Sequence, residues 1–128
     1  MVKVLVVESD RVLADNLKDF FRRAGISAVW RRDLQKAINA VDEHQPEAIV
    51  MDLATGGHGG VEFLYELRSY PEWQNLPVVI YSSTPPQDLG DLSKALHELN
   101  VTAYHYKPKV SLAELTDDLR KVLPTTKA

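Results

Sequence analysis

The sequence IVMD, residues 49–52, runs directly into the glycine-rich stretch LATGGHGG, residues 53–60. A short apolar run bounded by turn residues is typical of a strand that is buried on both faces of a parallel sheet. Such a strand presents Asp52 at the carboxyl edge of the sheet, where loops can reach its carboxylate. We therefore predict that the fold of the rest of the chain serves to position Asp52.

The composition restricts the class of protein. With 128 residues, 45% of them hydrophobic, the chain can fill one core of ordinary size. The sequence has no cysteine, which excludes a disulfide framework, a cysteine-based zinc site and a thiol nucleophile. The formal net charge is −3 and both signs are scattered, so direct binding to nucleic acid or to a membrane surface is not expected. The apolar N-terminal run is too short to span a bilayer, and we expect a cytoplasmic protein.

Five apolar segments predict five strands, and a helical pattern follows each of them. The predicted strands are Val2–Val7, Ile26–Trp30, Ala48–Met51, Val78–Tyr81 and Ala103–Tyr106. In the fourth helix the expected buried stripe is Leu89, Leu92, Leu96 and Leu99. The alternation predicts an α/β protein with a doubly wound, five-stranded parallel sheet. We expect one domain over residues 1–123 and a flexible tail over residues 124–128.

Three helix ends carry signals of their own. Asp33 is the expected N-cap of the second helix, and SLAE, residues 111–114, has the form of a capping box for the last helix. Gly25 stands where a left-handed residue would end the first helix.

Polar residues follow four of the predicted strands, at the edge where such sheets carry their reactive groups. They are Glu8-Ser9-Asp10 after strand one, Asp52 after strand three, Ser82 after strand four and Lys107 after strand five. Glu8 and Asp52 would form an oxygen-rich site suited to magnesium, which binds one or two carboxylates and keeps several waters. The alternative interpretation is a pair of solvated acids.

In this combination the chain resembles the receiver domain of bacterial response regulators, of the single-domain chemotaxis type, over essentially its whole length. The matching positions are the doublet Glu8-Ser9, the phosphoacceptor Asp52, the switch residue Ser82, the pair Lys107-Pro108, the helix-three glycine Gly60 and the switch aromatic Tyr104. The resemblance implies a flavodoxin-like (βα)5 fold with strand order 2-1-3-4-5.

The resemblance also implies phosphotransfer. A sensor histidine kinase or a phosphotransfer protein would place a phosphoryl group on Asp52. Mg²⁺ would be held by Glu8, Asp52 and the backbone carbonyl of Ala54. Lys107 would pair with a phosphoryl oxygen. The domain would signal rather than act as an enzyme.

A switch follows from the same resemblance. Ser82 would donate a hydrogen bond to the phosphoryl group, and the movement of its loop would let Tyr104 rotate. The face formed by helix four, strand five and helix five would then change its affinity for a downstream protein. The same face is a candidate homodimer surface.

The acidic doublet departs from the family's pattern. Ser9 stands where the family has a magnesium-binding aspartate, so Ser9 is at best a poor ligand. We expect the affinity for Mg²⁺ to fall by about 10- to 100-fold if water fills the gap. Asp10 is better explained as a cap of the first helix than as a replacement ligand.

Further predictions concern the loop after Asp52 and the bond that follows Lys107. The loop after Asp52 has Gly56 where the family usually has a proline, and His58 in that loop is expected to be solvated. The resemblance suggests a cis bond between Lys107 and Pro108, although most X-Pro bonds are trans.

Two other functions stay open at this point. Because of Ser9, the chain could be a pseudo-receiver that binds proteins without phosphorylation. A small flavodoxin-like enzyme or nucleotide binder would use the same fold, but the glycine-rich loop lacks the Gly-Lys-Ser/Thr of a nucleotide P-loop. We expect a receiver that stands alone; the alternative is that the sequence is cut from a longer protein.

Overall fold

The computed structural model describes residues 2–54 and 59–123 as an α/β protein. Its strands are β1 (Val2–Val7), β2 (Ile26–Arg31), β3 (Ala48–Met51), β4 (Val78–Ser82) and β5 (Ala103–Tyr106). Its α-helices are α1 (Arg11–Arg23), α2 (Leu34–His44), α3 (Gly60–Ser69), α4 (Asp91–Glu98) and α5 (Leu112–Val122). The strands pair in parallel in the order β2-β1-β3-β4-β5, which confirms the predicted fold class and strand order. The predicted tail, residues 124–128, and the loop residues Gly56 and His58 lie outside the described residues.

The core consists of two apolar layers, one on each face of the sheet. Successive strand residues point to opposite faces, so Leu5 and Val7 pack toward α2, α3 and α4, whereas Val4 and Val6 pack toward α1 and α5. Every residue of the central strand β3 is buried, because helices cover both of its faces. Asp52 therefore emerges from the most protected part of the sheet.

The predicted caps are confirmed. The Asp33 side chain accepts a hydrogen bond from the Lys36 amide, and Ser111 and Glu114 form the reciprocal capping box. Gly25 has a φ of +81°, the left-handed conformation that glycine tolerates best. Within residues 2–54 and 59–123, no helix is both long and apolar enough to cross a membrane.

Gly60 lets α3 begin directly against the end of β3. Its amide donates a 2.8 Å hydrogen bond to the Leu53 carbonyl. A Cβ atom at Gly60 would lie 2.8 Å from Met51 Cε and 3.0 Å from Leu53 Cα. Glycine is therefore needed here for a close approach of two backbones, which gives a physical reason for the residue at this position.

Two predictions about local structure are wrong. The fourth helix does not include Leu89, because a 3₁₀ turn (Pro86–Asp88) and Gly90 with a φ of +56° come before α4. Leu92, expected in the buried stripe, is 43% exposed. The bond between Lys107 and Pro108 is trans, since the described residues contain no cis peptide bond. Lys107 instead begins a 3₁₀ turn, Lys107–Lys109, in which proline's fixed φ is accommodated.

Candidate functional site

Glu8 and Asp52 lie side by side because of the pairing between β1 and β3. The register places Val7 opposite Met51, so the next residue of each strand leaves the sheet at the same point. The Asp52 amide donates a 3.2 Å hydrogen bond to the Val7 carbonyl, which extends this pairing. Glu8 is 4% exposed and Asp52 is 7% exposed, so the two acids share a site that is largely shielded from solvent.

Lys107 provides the positive charge between these acids. Its Nζ atom lies 2.8 Å from Asp52 Oδ2 and 3.0 Å from Glu8 Oε1. Burial lowers the pKa of the Lys107 ammonium, but the hydrogen bonds to Asp52 and Glu8, together with their charges, outweigh burial and hold its pKa above the usual value. The ammonium stays charged and bridges both carboxylates, as expected for a buried pair of acids.

Backbone amides hold the remaining oxygen of each carboxylate. Ala54 N–H donates to Asp52 Oδ1 at 3.0 Å, and Asp10 N–H donates to Glu8 Oε2 at 3.0 Å. Each carboxylate is thus held in one orientation by a backbone donor and by Lys107. The described contact between Ala54 and the site is made by its amide. The role of its carbonyl as a metal ligand therefore stays a prediction.

The donor set suits a magnesium ion that binds two carboxylates and completes its shell with water. In the described ranges, 2–54 and 59–123, no group of three or more histidine, cysteine or acidic residues is placed to hold a metal. Ser9 is exposed, and the Asp10 carboxylate caps α1 by accepting from Val12 N at 2.9 Å. The structure therefore brings together Glu8 and Asp52, and leaves Ser9 and Asp10 at the margin.

A second set of contacts joins Ser82 to Tyr104. Ser82 is fully buried at the end of β4, and its Oγ accepts a 3.1 Å hydrogen bond from Thr84 N–H. The Tyr104 hydroxyl donates to the Thr84 carbonyl at 2.6 Å. Thr84 thus contacts both predicted switch residues. A movement of its backbone would change its hydrogen bonds to Ser82 and to Tyr104.

Trp30 is a site residue that the sequence prediction missed. Its indole N–H donates a 2.7 Å hydrogen bond to the Glu8 carbonyl, and the Arg32 guanidinium lies 5.6 Å from the centre of its ring. The prediction considered the ends of four strands and left out β2. A tryptophan one residue before the end of β2 was the available signal, because a half-buried indole N–H needs an acceptor nearby.

The comparisons with known proteins agree with this geometry. The sequence model described as "Response regulator receiver domain" matches residues 4–120. Response regulator MprA of Mycobacterium bovis strain BCG is 28% identical over 127 residues, which cover 98% of this chain and 52% of that protein. The chain thus spans about half the length of MprA. Sporulation initiation phosphotransferase F of Bacillus subtilis is 24% identical over 122 residues, covering 95% of this chain and 94% of that protein.

A solved structure shows the same fold. Chemotaxis response regulator CheY4 of Vibrio cholerae matches with a TM-score of 0.84 at 19% identity, covering 96% of this chain and 99% of that chain. At this identity the likeness concerns the fold alone, and the family rests on the sequence match. Because that match runs from β1 into α5, the chain belongs to the response regulator receiver domain family.

Proposed function

We propose that Asp52 accepts a phosphoryl group and that the domain signals through the face formed by α4, β5 and α5. The observation that supports this most directly is the Lys107 ammonium in contact with both Asp52 and Glu8. An acid, a second acid and a cation within hydrogen-bonding distance are the groups that phosphoryl transfer needs for positioning and charge compensation.

In the transfer, an Asp52 carboxylate oxygen attacks the phosphorus of a phosphohistidine on the donor protein. A P–O bond forms as the P–N bond breaks, and the electron pair of the broken bond stays on the histidine nitrogen, which takes a proton from solvent. Lys107 then pairs with a phosphoryl oxygen instead of the free carboxylate. Glu8 and Asp52 would hold Mg²⁺, which supplies positive charge to the phosphoryl oxygens when it is bound.

The signal would travel from Ser82 to the output face. The Ser82 hydroxyl would donate to the phosphoryl group while its Oγ keeps the hydrogen bond that it now accepts from Thr84 N–H, so the Thr84 backbone would follow Ser82. The Thr84 carbonyl would then move relative to the Tyr104 hydroxyl, and the aromatic ring could change its position beside α4. The result is a shift in population between two arrangements of the face.

The implied partners are a sensor histidine kinase or phosphotransfer protein and a downstream protein target. We expect the domain to act in the cytoplasm as a signalling domain and not as an enzyme. A homodimer through α4, β5 and α5 is a further form that this face could take.

A pseudo-receiver is the second candidate, and a specific observation favours it. Ser9 adds no charge to the site, and Lys107 already neutralises one of the two negative charges of Glu8 and Asp52. An incoming Mg²⁺ would have to displace part of this internal ion pairing. In that case the domain would bind its partner without phosphorylation.

Incubation with acetyl phosphate and Mg²⁺, followed by mass spectrometry of the intact protein, separates the two candidates. The receiver gains the mass of one phosphoryl group, and the D52N variant does not. The D117N variant, which changes an exposed aspartate of α5, is the matched control and should be labelled like the native chain. No labelling at saturating Mg²⁺ would contradict the receiver and support the pseudo-receiver.

A further inference from the structure

A cavity of about 440 Å³ lies at the edge of the sheet opposite Asp52. It opens between the C-terminal end of α2 and the segment that joins α3 to β4. The apolar part of its wall consists of Val41, Pro46, Trp73 and Leu76. Asp42 and Glu72 stand at the same cavity and are its two acidic residues. A cavity with an apolar wall and a few placed polar groups is the usual form of a binding site.

The two acidic side chains at this cavity make no ion pair among the described residues. Asp42 and Glu72 are both exposed, and across residues 2–54 and 59–123 the ion pairs within 4.0 Å include neither of them. The cavity also borders the C-terminal end of α2, which carries the partial negative charge of the helix dipole. These two features favour a cationic ligand over a neutral or anionic one.

The aromatic wall of the cavity is held in place from behind. Arg68 donates hydrogen bonds to the carbonyls of Trp73, at 2.6 Å, and Leu76, at 2.9 Å. The Tyr70 and Trp73 rings pack at 4.8 Å between their centres, and Tyr70 is 38% exposed. The wall is therefore preformed, and the partly exposed Tyr70 ring lies next to it.

We propose that this cavity binds an arginine side chain from an extended, basic peptide segment of a partner protein. The guanidinium would stack on the Trp73 ring and pair with Asp42 and Glu72. Arginine fits better than lysine, because a planar guanidinium stacks on an indole ring and pairs with carboxylates through two N–H groups. The exposed Tyr70 ring favours a peptide over a free small cation, since it offers contact area to the neighbouring residues. This proposal does not depend on phosphorylation of Asp52.

The test is a titration of the ¹⁵N-labelled chain with the peptide acetyl-Gly-Arg-Gly-amide, followed by two-dimensional NMR. Shifts are expected in the Trp73 indole N–H and in backbone amides of residues 41–45 and 72–76, and the Trp30 indole N–H should stay in place. The same peptide with citrulline, a neutral isostere of arginine, should bind at least about 5-fold more weakly. Equal binding of the two peptides would overturn the assignment of a cationic ligand.

Surface variants keep the test independent of folding. E72Q and D42N should each weaken binding of the arginine peptide by about 3- to 10-fold. E43Q is the matched control, because Glu43 is the exposed neighbour of Asp42 and does not line the cavity. If E43Q weakens binding as much as D42N does, the attraction is general and the site is contradicted. Equally tight binding of propylguanidine, which has the same single charge and lacks a peptide backbone, would overturn the choice of a peptide.

Discussion

Lys107 is the residue that allows two acids to be buried together at the end of β1 and β3. Its side chain is only 20% exposed, and its ammonium contacts Glu8 and Asp52 at once. Removing one partner from such a cluster leaves charge in a site with little water, which costs more than the pair itself contributes. Lys107 therefore has a structural role whether or not Asp52 is ever phosphorylated.

Replacing Lys107 with methionine is expected to lower the free energy of unfolding at pH 7 by about 1 to 3 kcal/mol, because Glu8 and Asp52 would then repel each other. Urea unfolding at pH 7 measures the difference. K109M, a change in an exposed lysine of the same turn, is the control and should be nearly neutral. An equal loss for both variants would contradict the bridging role.

The sign of the alkaline dependence follows from the direction of the Lys107 pKa. Against the lowering effect of burial, Asp52 and Glu8 hold the pKa above its ordinary value of 10.5. The stabilisation by this ion pairing is therefore fully present below that pH, and it is lost as the pH rises through the raised pKa.

We expect Ser9 to limit how well the proposed site holds a divalent cation. S9D should strengthen Mg²⁺ binding by about 10- to 100-fold, because it adds a hard, anionic oxygen beside Glu8. Calorimetry with MgCl₂ measures the change directly. S93D, which adds an aspartate on the exposed surface of α4, controls for net charge. Unchanged affinity in S9D would mean that position 9 does not face the metal site.

Among the elements, α3 depends most visibly on a single small residue. Its first residue, Gly60, lies where a Cβ would be 3.0 Å from Leu53 Cα and 3.1 Å from the Leu53 carbonyl oxygen. Backbone atoms cannot move aside as a flexible side chain can. The start of α3 is thereby fixed relative to the end of β3 and to Asp52.

We predict that G60A lowers the free energy of unfolding by about 1 to 3 kcal/mol through overpacking, even though alanine favours helix by about 1 kcal/mol. Thermal or urea unfolding is the measurement. G59A is a closely matched control, since a Cβ at Gly59 meets nothing nearer than Val61 N at 4.0 Å. Similar stability for the two variants would show that α3 can shift without cost.

The elements also show which parts of the sequence were informative. The strands were predictable because buried parallel strands are continuously apolar, and the caps because Asp33 and Ser111 act on residues close to them in sequence. The start of α4 was not, since Leu89 and Leu92 fit a helical spacing that Gly90 interrupts. The spacing of the leucines alone does not reveal that a residue between them has a left-handed backbone conformation.

At the scale of the whole molecule, the site consists of residues that only the sheet brings together. Lys107 contacts Asp52 across 55 positions and Glu8 across 99 positions of the chain. The strand order explains why polar residues at the strand ends could be predicted to meet. The hydrogen-bond partner of each carboxylate oxygen depended on side-chain packing, which no spacing in the sequence encodes.

The molecule places its two candidate binding regions at opposite edges of one sheet. Asp52 lies at the carboxyl ends of the strands, and the cavity beside Trp73 lies at their amino ends. Between them lie the sheet and the two apolar layers that pack on its faces. We therefore expect a signal from Asp52 to pass across the strands of the sheet, from β3 to β4 and β5. There Thr84 already contacts both Ser82 and Tyr104.

Y104F tests this route, because it removes the hydroxyl that donates to the Thr84 carbonyl and keeps the aromatic ring. With beryllofluoride and Mg²⁺ as phosphoryl mimic, the native chain should show NMR shifts in α4 and β5. In Y104F without the mimic, these signals should lie part of the way toward their ligand-bound positions, since the ring is no longer held in one arrangement. Y106F, a change in the other tyrosine of β5, should leave them at the native positions. If α4 responds to the mimic while Y104F stays at the native free positions, Tyr104 does not carry the switch, and the Thr84 backbone alone must transmit the change.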